Sequence, residues 1–94
     1  MKITKTDYEL KINNGSSFKV YICKTHETAM MLHNILMTAG SNDKDSYWHV
    51  STCAAEDVLI PDFFKGLGLY RTIIEHNNCD WDKEATYELY MVED

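Results

Sequence analysis

A period-two alternation of apolar and polar residues near the start of the chain most restricts what it can fold into. Apolar side chains occupy every second position in residues 8–12 and again in residues 18–22. Such alternation is typical of a strand with one buried face. Between the two segments, Asn14-Gly15 favours a tight turn because both residues tolerate positive φ. The pattern therefore predicts a β-hairpin over residues 8–23, with its lysines on the polar side.

A helical pattern follows in residues 25–40. Thr25 is suited to cap the helix, Glu27 lies where the helix dipole favours a carboxylate, and Gly40 is suited to end it. The 3.6-residue period selects the residues that are predicted to face the sheet. These residues are Thr28, Met31, Leu32, Ile35, Leu36 and Ala39. A second stripe, predicted on nearly the opposite side of the helix, consists of His26, Met30, His33 and Met37.

The second half of the chain has strand patterns separated by turn residues. Aromatic and β-branched residues favour strands in residues 47–53 and 69–75, and alternation predicts a last strand in residues 85–92. Residues 54–60 fit a helical turn or a strand equally well. Pro61 is suited to begin a short helix that ends at Gly66. The sum is an α+β fold: one main helix packed on a mainly antiparallel sheet of four to five strands, in the order ββαβ, short helix, ββ.

Size and composition predict a single domain over residues 1–94, since 45% of the residues are hydrophobic and one core can be filled. No apolar run approaches the ~20 residues needed to cross a bilayer, and the first residues lack the apolar stretch of a secretion signal. Three cysteines without a C-x-x-C motif are typical of reduced thiols. We therefore expect a cytoplasmic protein that does not enter a membrane.

Charge is distributed unevenly along the chain. Residues 1–24 hold five lysines and two carboxylates, a net charge of +3, whereas residues 25–94 hold four basic and thirteen acidic residues, a net charge of −9. An excess of negative charge repels nucleic acid and attracts basic protein surfaces. The composition therefore argues against direct nucleic-acid binding and favours a basic surface of a protein as partner.

The acidic residues cluster at several places, and the longest cluster includes a tryptophan. Exposed aromatic side chains ringed by charge are what interface hot spots use, and methionine adapts to varied partners. These two arguments select the predicted partner-binding residues. They are Asp43, Asp45, Asp80, Trp81, Asp82 and Glu84 from the acidic clusters, and Met30, His33 and Met37 from the helix.

The leading hypothesis is a small, acidic, non-enzymatic protein-binding module without a cofactor. Its size and charge resemble those of small acidic proteins from phages and mobile elements, including DNA-mimicking anti-restriction and anti-CRISPR inhibitors. The resemblance implies an inhibitor that occupies a basic nucleic-acid-binding groove of its partner. The resemblance is to a class of proteins and not to one family.

Two other hypotheses stay open. The first is a small metal-binding or catalytic domain that uses cysteine–histidine pairs, because Cys23 precedes His26, and His76 precedes Cys79, by three positions. Tetrahedral zinc accepts such spacings, although no site is predicted from them. The third pair, His49 with Cys53, has a looser spacing. The second hypothesis is a homodimeric structural subunit joined through the helix stripe of Met30, His33 and Met37.

Overall fold

The computed structural model describes residues 1–11, 16–40, 46–78 and 85–94. Within these ranges one α-helix lies on one five-stranded sheet, so the α+β class is confirmed. No helix in them is both long and apolar enough to span a lipid bilayer. The elements in chain order are β1 (Lys2–Lys5), β2 (Ser16–Cys23), α1 (His26–Gly40), β3 (Ser46–Ala54), a 3-10 turn (Asp62–Phe64), β4 (Tyr70–Asn78) and β5 (Tyr87–Glu93).

The strands are arranged in the order β1-β5-β2-β4-β3, and every neighbouring pair is antiparallel except β2 and β5. The predicted hairpin is therefore wrong. Both edges of β2 are hydrogen-bonded, one to β4 and the other to β5, so no edge remains for residues 8–12. The first strand is instead Lys2–Lys5, and Tyr8 packs against one face of the sheet. The predicted turn at residues 13–15 lies outside the described residues.

The central position of β2 follows from its composition. Residues 20–23 are all buried, which is typical of a strand that is covered on both faces. Val20 and Ile22 face a core on the side away from the helix, whereas Tyr21 and Cys23 face the helix. The helix-side core consists of Tyr21, Cys23, Ala29, Leu32, Val50, Ile74 and Val92. The opposite core consists of Phe18, Val20, Ile22, Ala55, Ile60, Ile73, Tyr87 and Leu89.

Local signals placed the helix and the later strands correctly. The backbone N–H of Thr28 donates to Thr25 Oγ1 at 3.2 Å, so Thr25 caps α1 as predicted, and α1 ends at Gly40. The three later strands occupy the predicted regions, with β4 extending to Asn78. Of residues 54–60, which were ambiguous in the sequence, Ala54 ends β3 and residues 55–60 form no helix or strand.

The rotation of α1 about its axis differs from the prediction. Ala29 and Leu32 are buried against the sheet, whereas Met31 and Ile35 are 52% and 54% exposed. The prediction of a sheet-facing side chain is correct for Thr28, Leu32 and Leu36. It is wrong for Met31, Ile35 and Ala39, which are exposed. The predicted outer stripe is also corrected, because His33 is half-buried and bonded to β3 rather than opposite the core.

A chain of hydrogen bonds between α1 and the sheet explains this rotation. Thr72 Oγ1 donates to the Ala29 carbonyl at 2.8 Å. Each hydroxyl has one proton, so Thr52 Oγ1 must donate to Thr72 Oγ1 at 2.9 Å. His33 Nδ1 must then donate to Thr52 Oγ1, also at 2.9 Å. These bonds hold the His33 side of α1 over β3, and the Thr28 hydroxyl bonded to Asp94 holds the other side near the end of β5.

Candidate protein-binding site

Residues 55–69, which we call the cover segment, cross the face of the sheet that the helix leaves uncovered. Ile60 is almost fully buried in the core on that face, and Leu59 and Phe64 pack against it. Tyr8, from the chain before β2, contacts the segment through its ring, whose centroid lies 6.3 Å from that of Phe63. The sheet is therefore enclosed between one helix and one largely irregular segment.

Side chains bond three backbone groups of the cover segment. Asp57 Oδ1 accepts the Leu59 N–H at 3.0 Å, and the Tyr87 hydroxyl donates to the Leu59 carbonyl at 2.5 Å. Glu56 Oε1 accepts the Gly66 N–H at 3.1 Å, where a φ of +77° favours glycine. A segment without regular structure needs such partners, because unpaired buried backbone groups are costly.

The turn chemistry of the segment matches the prediction. Pro61 caps the 3-10 turn at Asp62–Phe64, and the turn closes at Lys65, directly before Gly66. The Phe64 N–H donates to the Pro61 carbonyl at 3.0 Å. The predicted short helix is therefore confirmed as a single 3-10 turn.

Arg71 holds the cover segment to the sheet electrostatically. Its guanidinium is largely buried and donates to Asp57 Oδ2 at 2.9 Å and to Ser51 Oγ at 2.8 Å. Because Asp57 also accepts the Leu59 N–H, one carboxylate fixes both the turn and its contact with β4. The Asp57–Arg71 pair is internal, and we assign the Asp57 carboxylate a positioning role.

Three large apolar side chains of the cover segment remain exposed, which the sequence did not predict. Val58, Phe63 and Leu67 are 90%, 64% and 62% exposed, although the backbone that carries them is tied to the sheet. Rigidly held, exposed apolar side chains are typical of interface anchors. For Phe63 and Leu67 the available signal was their position between Pro61 and Gly68, because apolar residues within turns cannot all face one core.

Carboxylates surround these anchors. Glu56 and Asp62 are exposed on the cover segment, and Asp7 and Glu9 flank Tyr8 in sequence. The Asp62 side chain is 94% exposed and pairs with Lys65 at 2.9 Å; the hydrogen bond that Lys65 donates to Asp62 raises the pKa of the lysine. We call Val58, Phe63 and Leu67, with the exposed carboxylates Glu56 and Asp62, the acidic–apolar patch. Including Lys65, the cover segment has a net charge of −2.

The acidic residues predicted as the main site lie outside the described residues. Asp43, Asp45, Asp80, Trp81, Asp82 and Glu84 belong to residues 41–45 and 79–84. The described strand ends nevertheless show where both segments join the sheet. Ser46 is paired with Asn78, and opposite residues of an antiparallel pair have Cα atoms roughly 5 Å apart. One acidic segment precedes Ser46 and the other follows Asn78, so the two are attached at adjacent positions of one sheet end.

The helix adds negative potential at the same sheet end. Only two residues separate Cys23 from His26, so α1 begins where β2 ends and runs back toward the end where β3 begins. The C-terminal end of a helix carries about half a negative elementary charge. The last turn of α1 contains no basic residue that would offset it.

Two of the three carboxylates of the cover segment are in ion pairs, and the third, Glu56, is in none that the described residues show. In the part of the chain that the structure describes, ion pairs involve Asp57, Asp62 and Glu88. The Glu88 carboxylate lies between two lysines, 3.5 Å from Lys5 Nζ and 3.9 Å from Lys19 Nζ. It therefore neutralises part of the positive charge carried by residues 1–24. A hydrogen bond from the Tyr90 hydroxyl, at 2.6 Å, is the main cause of its lowered pKa, followed by the two lysines.

The cysteine–histidine pairs do not assemble within the described residues. Cys23 is fully buried on the helix side, and burial, together with Asp94, raises the pKa of its thiol to about 11. The His26 ring instead packs edge-on against Tyr70. No three His, Cys, Asp or Glu side chains in the described ranges lie close enough to hold a metal ion. Cys79 lies outside those ranges, so the hypothesis that it acts together with His76 stays open.

Comparisons with known proteins give no further assignment. A scan against protein-family models found no matching family, and searches of curated proteins and of solved structures found no match. The candidate site therefore rests on geometry and charge alone.

Proposed function

We propose that this protein is a non-enzymatic binding module that docks an acidic surface onto a basic surface of a partner protein. The observation that carries the proposal is the acidic–apolar patch, where Phe63 and Leu67 project from a backbone fixed by Asp57, Glu56 and Tyr87. Desolvated apolar anchors supply affinity, and the surrounding carboxylates supply orientation and fast association.

The acidic sheet end is the second contributor to this surface. Its support is the pairing of Ser46 with Asn78, which joins the segments carrying Asp43, Asp45, Asp80, Asp82 and Glu84 to one end of the sheet. We propose these five carboxylates, with Trp81, as contacts to the partner. The negative end of α1 at the same place would strengthen the attraction for a basic surface.

The finer proposal concerns the kind of partner. A basic protein surface with room for clustered carboxylates is chemically similar to a groove that binds nucleic-acid phosphates. We therefore propose that the protein inhibits a nucleic-acid enzyme by occupying such a groove, as phage and mobile-element anti-defence proteins do. Size, charge and the patch support this reading, and partner identification tests it.

The experiment is affinity capture on the immobilised protein from a lysate of its native host, followed by elution with a salt gradient. We expect a retained partner that elutes as the salt rises, and that duplex DNA releases by competition if the occupied surface is a nucleic-acid groove. Phe63→Ala and Asp62→Lys should each weaken retention. Glu27→Lys, which reverses an exposed carboxylate on the helix side, is the matched control.

Two outcomes would contradict the proposal. Retention that resists high salt would show that electrostatic attraction does not drive binding. The second outcome is that three variants are retained equally: Asp62→Lys, the combined reversal of Asp80, Asp82 and Glu84, and the Glu27→Lys control. That result would show that neither acidic region contacts the partner.

A further inference from the structure

The helix and the edge strand next to it form a surface that is almost without charge. The 15 residues of α1 and the nine of β3 contain one charged residue, Glu27, against about six expected from the chain-wide 26%. Met37, on the same flank of α1 as His33, is exposed. A protein of net charge −6 can place such a surface against a copy of itself without strong repulsion at the contact.

The two edges of the sheet differ in their protection against strand pairing. β1 carries Lys2 and Lys5, and charged side chains on an edge strand are a common means of preventing association. β3 is more than twice as long and has no Lys, Arg, Asp, Glu or Pro. Among the described residues nothing pairs with its outer edge. β3 is therefore the edge suited to another strand.

We propose that two copies of this protein associate through antiparallel pairing of β3 with β3, which would give one continuous ten-stranded sheet. A twofold axis makes such pairing self-complementary, because each copy presents the same strand to the other. This inference rests on a different surface from the proposed partner site, and each stands without the other.

The geometry of α1 fits this arrangement. The His33–Thr52 bond holds one flank of α1 over β3, and Met30 and Met37 lie one helical turn to either side of His33 on that flank. Paired strands are ~4.8 Å apart, so the twofold axis would lie ~2.4 Å outside β3. Near His33 and Ala29, where α1 is bonded to Thr52 of β3 and Thr72 of β4, the two helix axes would come within on the order of 10 Å, close to the 8–10 Å at which helices pack.

The contact area is also of the right order. β3 is nine residues long, or ~30 Å at ~3.3 Å per residue. The shortest Cα extent of the molecule is 20 Å. A contact of those dimensions covers ~600 Å² per copy, near the ~800 Å² per partner of a standard interface. Met37, at 53% exposed, and the half-buried Met30 would fill the seam between the helices.

Mass measured by sedimentation equilibrium over a range of protein and salt concentrations tests the proposal. We expect a monomer–dimer equilibrium that shifts toward the dimer as salt rises, because salt screens the repulsion between two copies of net charge −6. Docking to a basic partner would weaken with salt instead. A monomer at all concentrations up to ~1 mM, where even a pair with a Kd of ~1 mM would be detected, overturns the proposal.

A matched pair of variants locates the contact. Met37→Glu places like charges near the twofold axis, and we expect at least a tenfold weaker dimer. Met31→Glu makes the same chemical change at a methionine of equal exposure, on a side of α1 away from β3, and should leave the dimer unchanged. Equal effects of the two variants would place the contact elsewhere and overturn the proposal.

Hydrogen exchange tests the strand pairing directly. The Ala55 N–H donates to the Leu69 carbonyl, so by alternation the N–H groups of Val50 and Thr52 point away from β4. We expect these two amides to become protected as protein concentration rises. The N–H groups of Ile3 and Lys5 point outward from β1 by the same argument and are the internal control. A dimer that leaves Val50 and Thr52 unprotected contradicts the β3 pairing.

Discussion

The two faces of the sheet are covered in different ways. On one face, α1 satisfies its own backbone hydrogen bonds, and Ala29 and Leu32 contribute apolar contact. On the other face, the irregular cover segment depends on side chains such as Asp57, Glu56 and Tyr87 to satisfy its backbone. A helix can therefore leave its surface uncharged, whereas an irregular cover requires polar and acidic residues near it.

This difference assigns the two surfaces to different partners. The helix side, with Glu27 as the only charged residue of α1, suits a contact between like-charged copies. The cover side, with carboxylates around Phe63 and Leu67, suits a basic partner. The two associations should respond to salt in opposite directions, since one involves repulsion between the molecules and the other attraction.

The largest expected effect tests the apolar side of this comparison. Leu32→Ala removes a buried side chain under α1, and we expect it to lower the free energy of unfolding by about 3 kcal/mol. Ile35→Ala, one turn further along α1 at a position 54% exposed, should change it by less than ~0.5 kcal/mol. Chemical denaturation of both variants measures the difference. Equal losses would mean that the rotation of α1 described above is wrong.

A smaller effect tests the polar side. Asp57→Ala leaves the buried Arg71 guanidinium without its carboxylate and removes the acceptor of the Leu59 N–H. We expect a loss of about 2 kcal/mol, below the cost of breaking a fully buried pair because Asp57 is partly exposed. Asp62→Ala, which breaks the exposed pair with Lys65, should have a much smaller effect, because solvent screens that pair. Denaturation curves for the two variants that coincide would show that the cover segment does not depend on Asp57.

Elements with local signals were predictable from the sequence. The Thr25 cap and the Pro61 turn depend on residues within four positions of one another, and both are in the expected places. Pairing between distant strands is not a local property. The alternation around Asn14-Gly15 predicted a hairpin, whereas the continuous apolar run at residues 20–23 was the signal for a central strand.

The helix face was ambiguous for a related reason. Residues 29–37 of α1 are apolar around most of the circumference, so periodicity could not select which side meets the sheet. The selection comes from hydrogen bonds between α1 and two threonines of β3 and β4, Thr52 and Thr72, which no helical period encodes. Val58, Phe63 and Leu67 were missed because an irregular segment has no period that separates buried from exposed positions.

The smallest expected effect concerns Glu88, a carboxylate on the helix-facing side of β5 that two lysines and a tyrosine hold in place. Its pKa is lowered in the folded protein, mainly by the Tyr90 hydroxyl and then by Lys19 and Lys5. The stabilisation is therefore fully present above the unfolded value of ~4.3 and is lost as pH falls through the lower folded pKa. Glu88→Gln should cost less than ~1 kcal/mol near neutral pH, and its difference from the native protein should shrink below pH ~4.3.

Chemical denaturation of the native protein and of Glu88→Gln between pH 3 and 7 checks this sign. Glu9→Gln makes the same charge change at an exposed residue outside the sheet and serves as the control. A Glu88→Gln difference that grows toward low pH would mean that the site favours the protonated acid. That result would contradict the contacts of Glu88 with Lys5 and Lys19. The positive charge of these two lysines would then be unpaired and would offset part of the negative charge of the acidic surface.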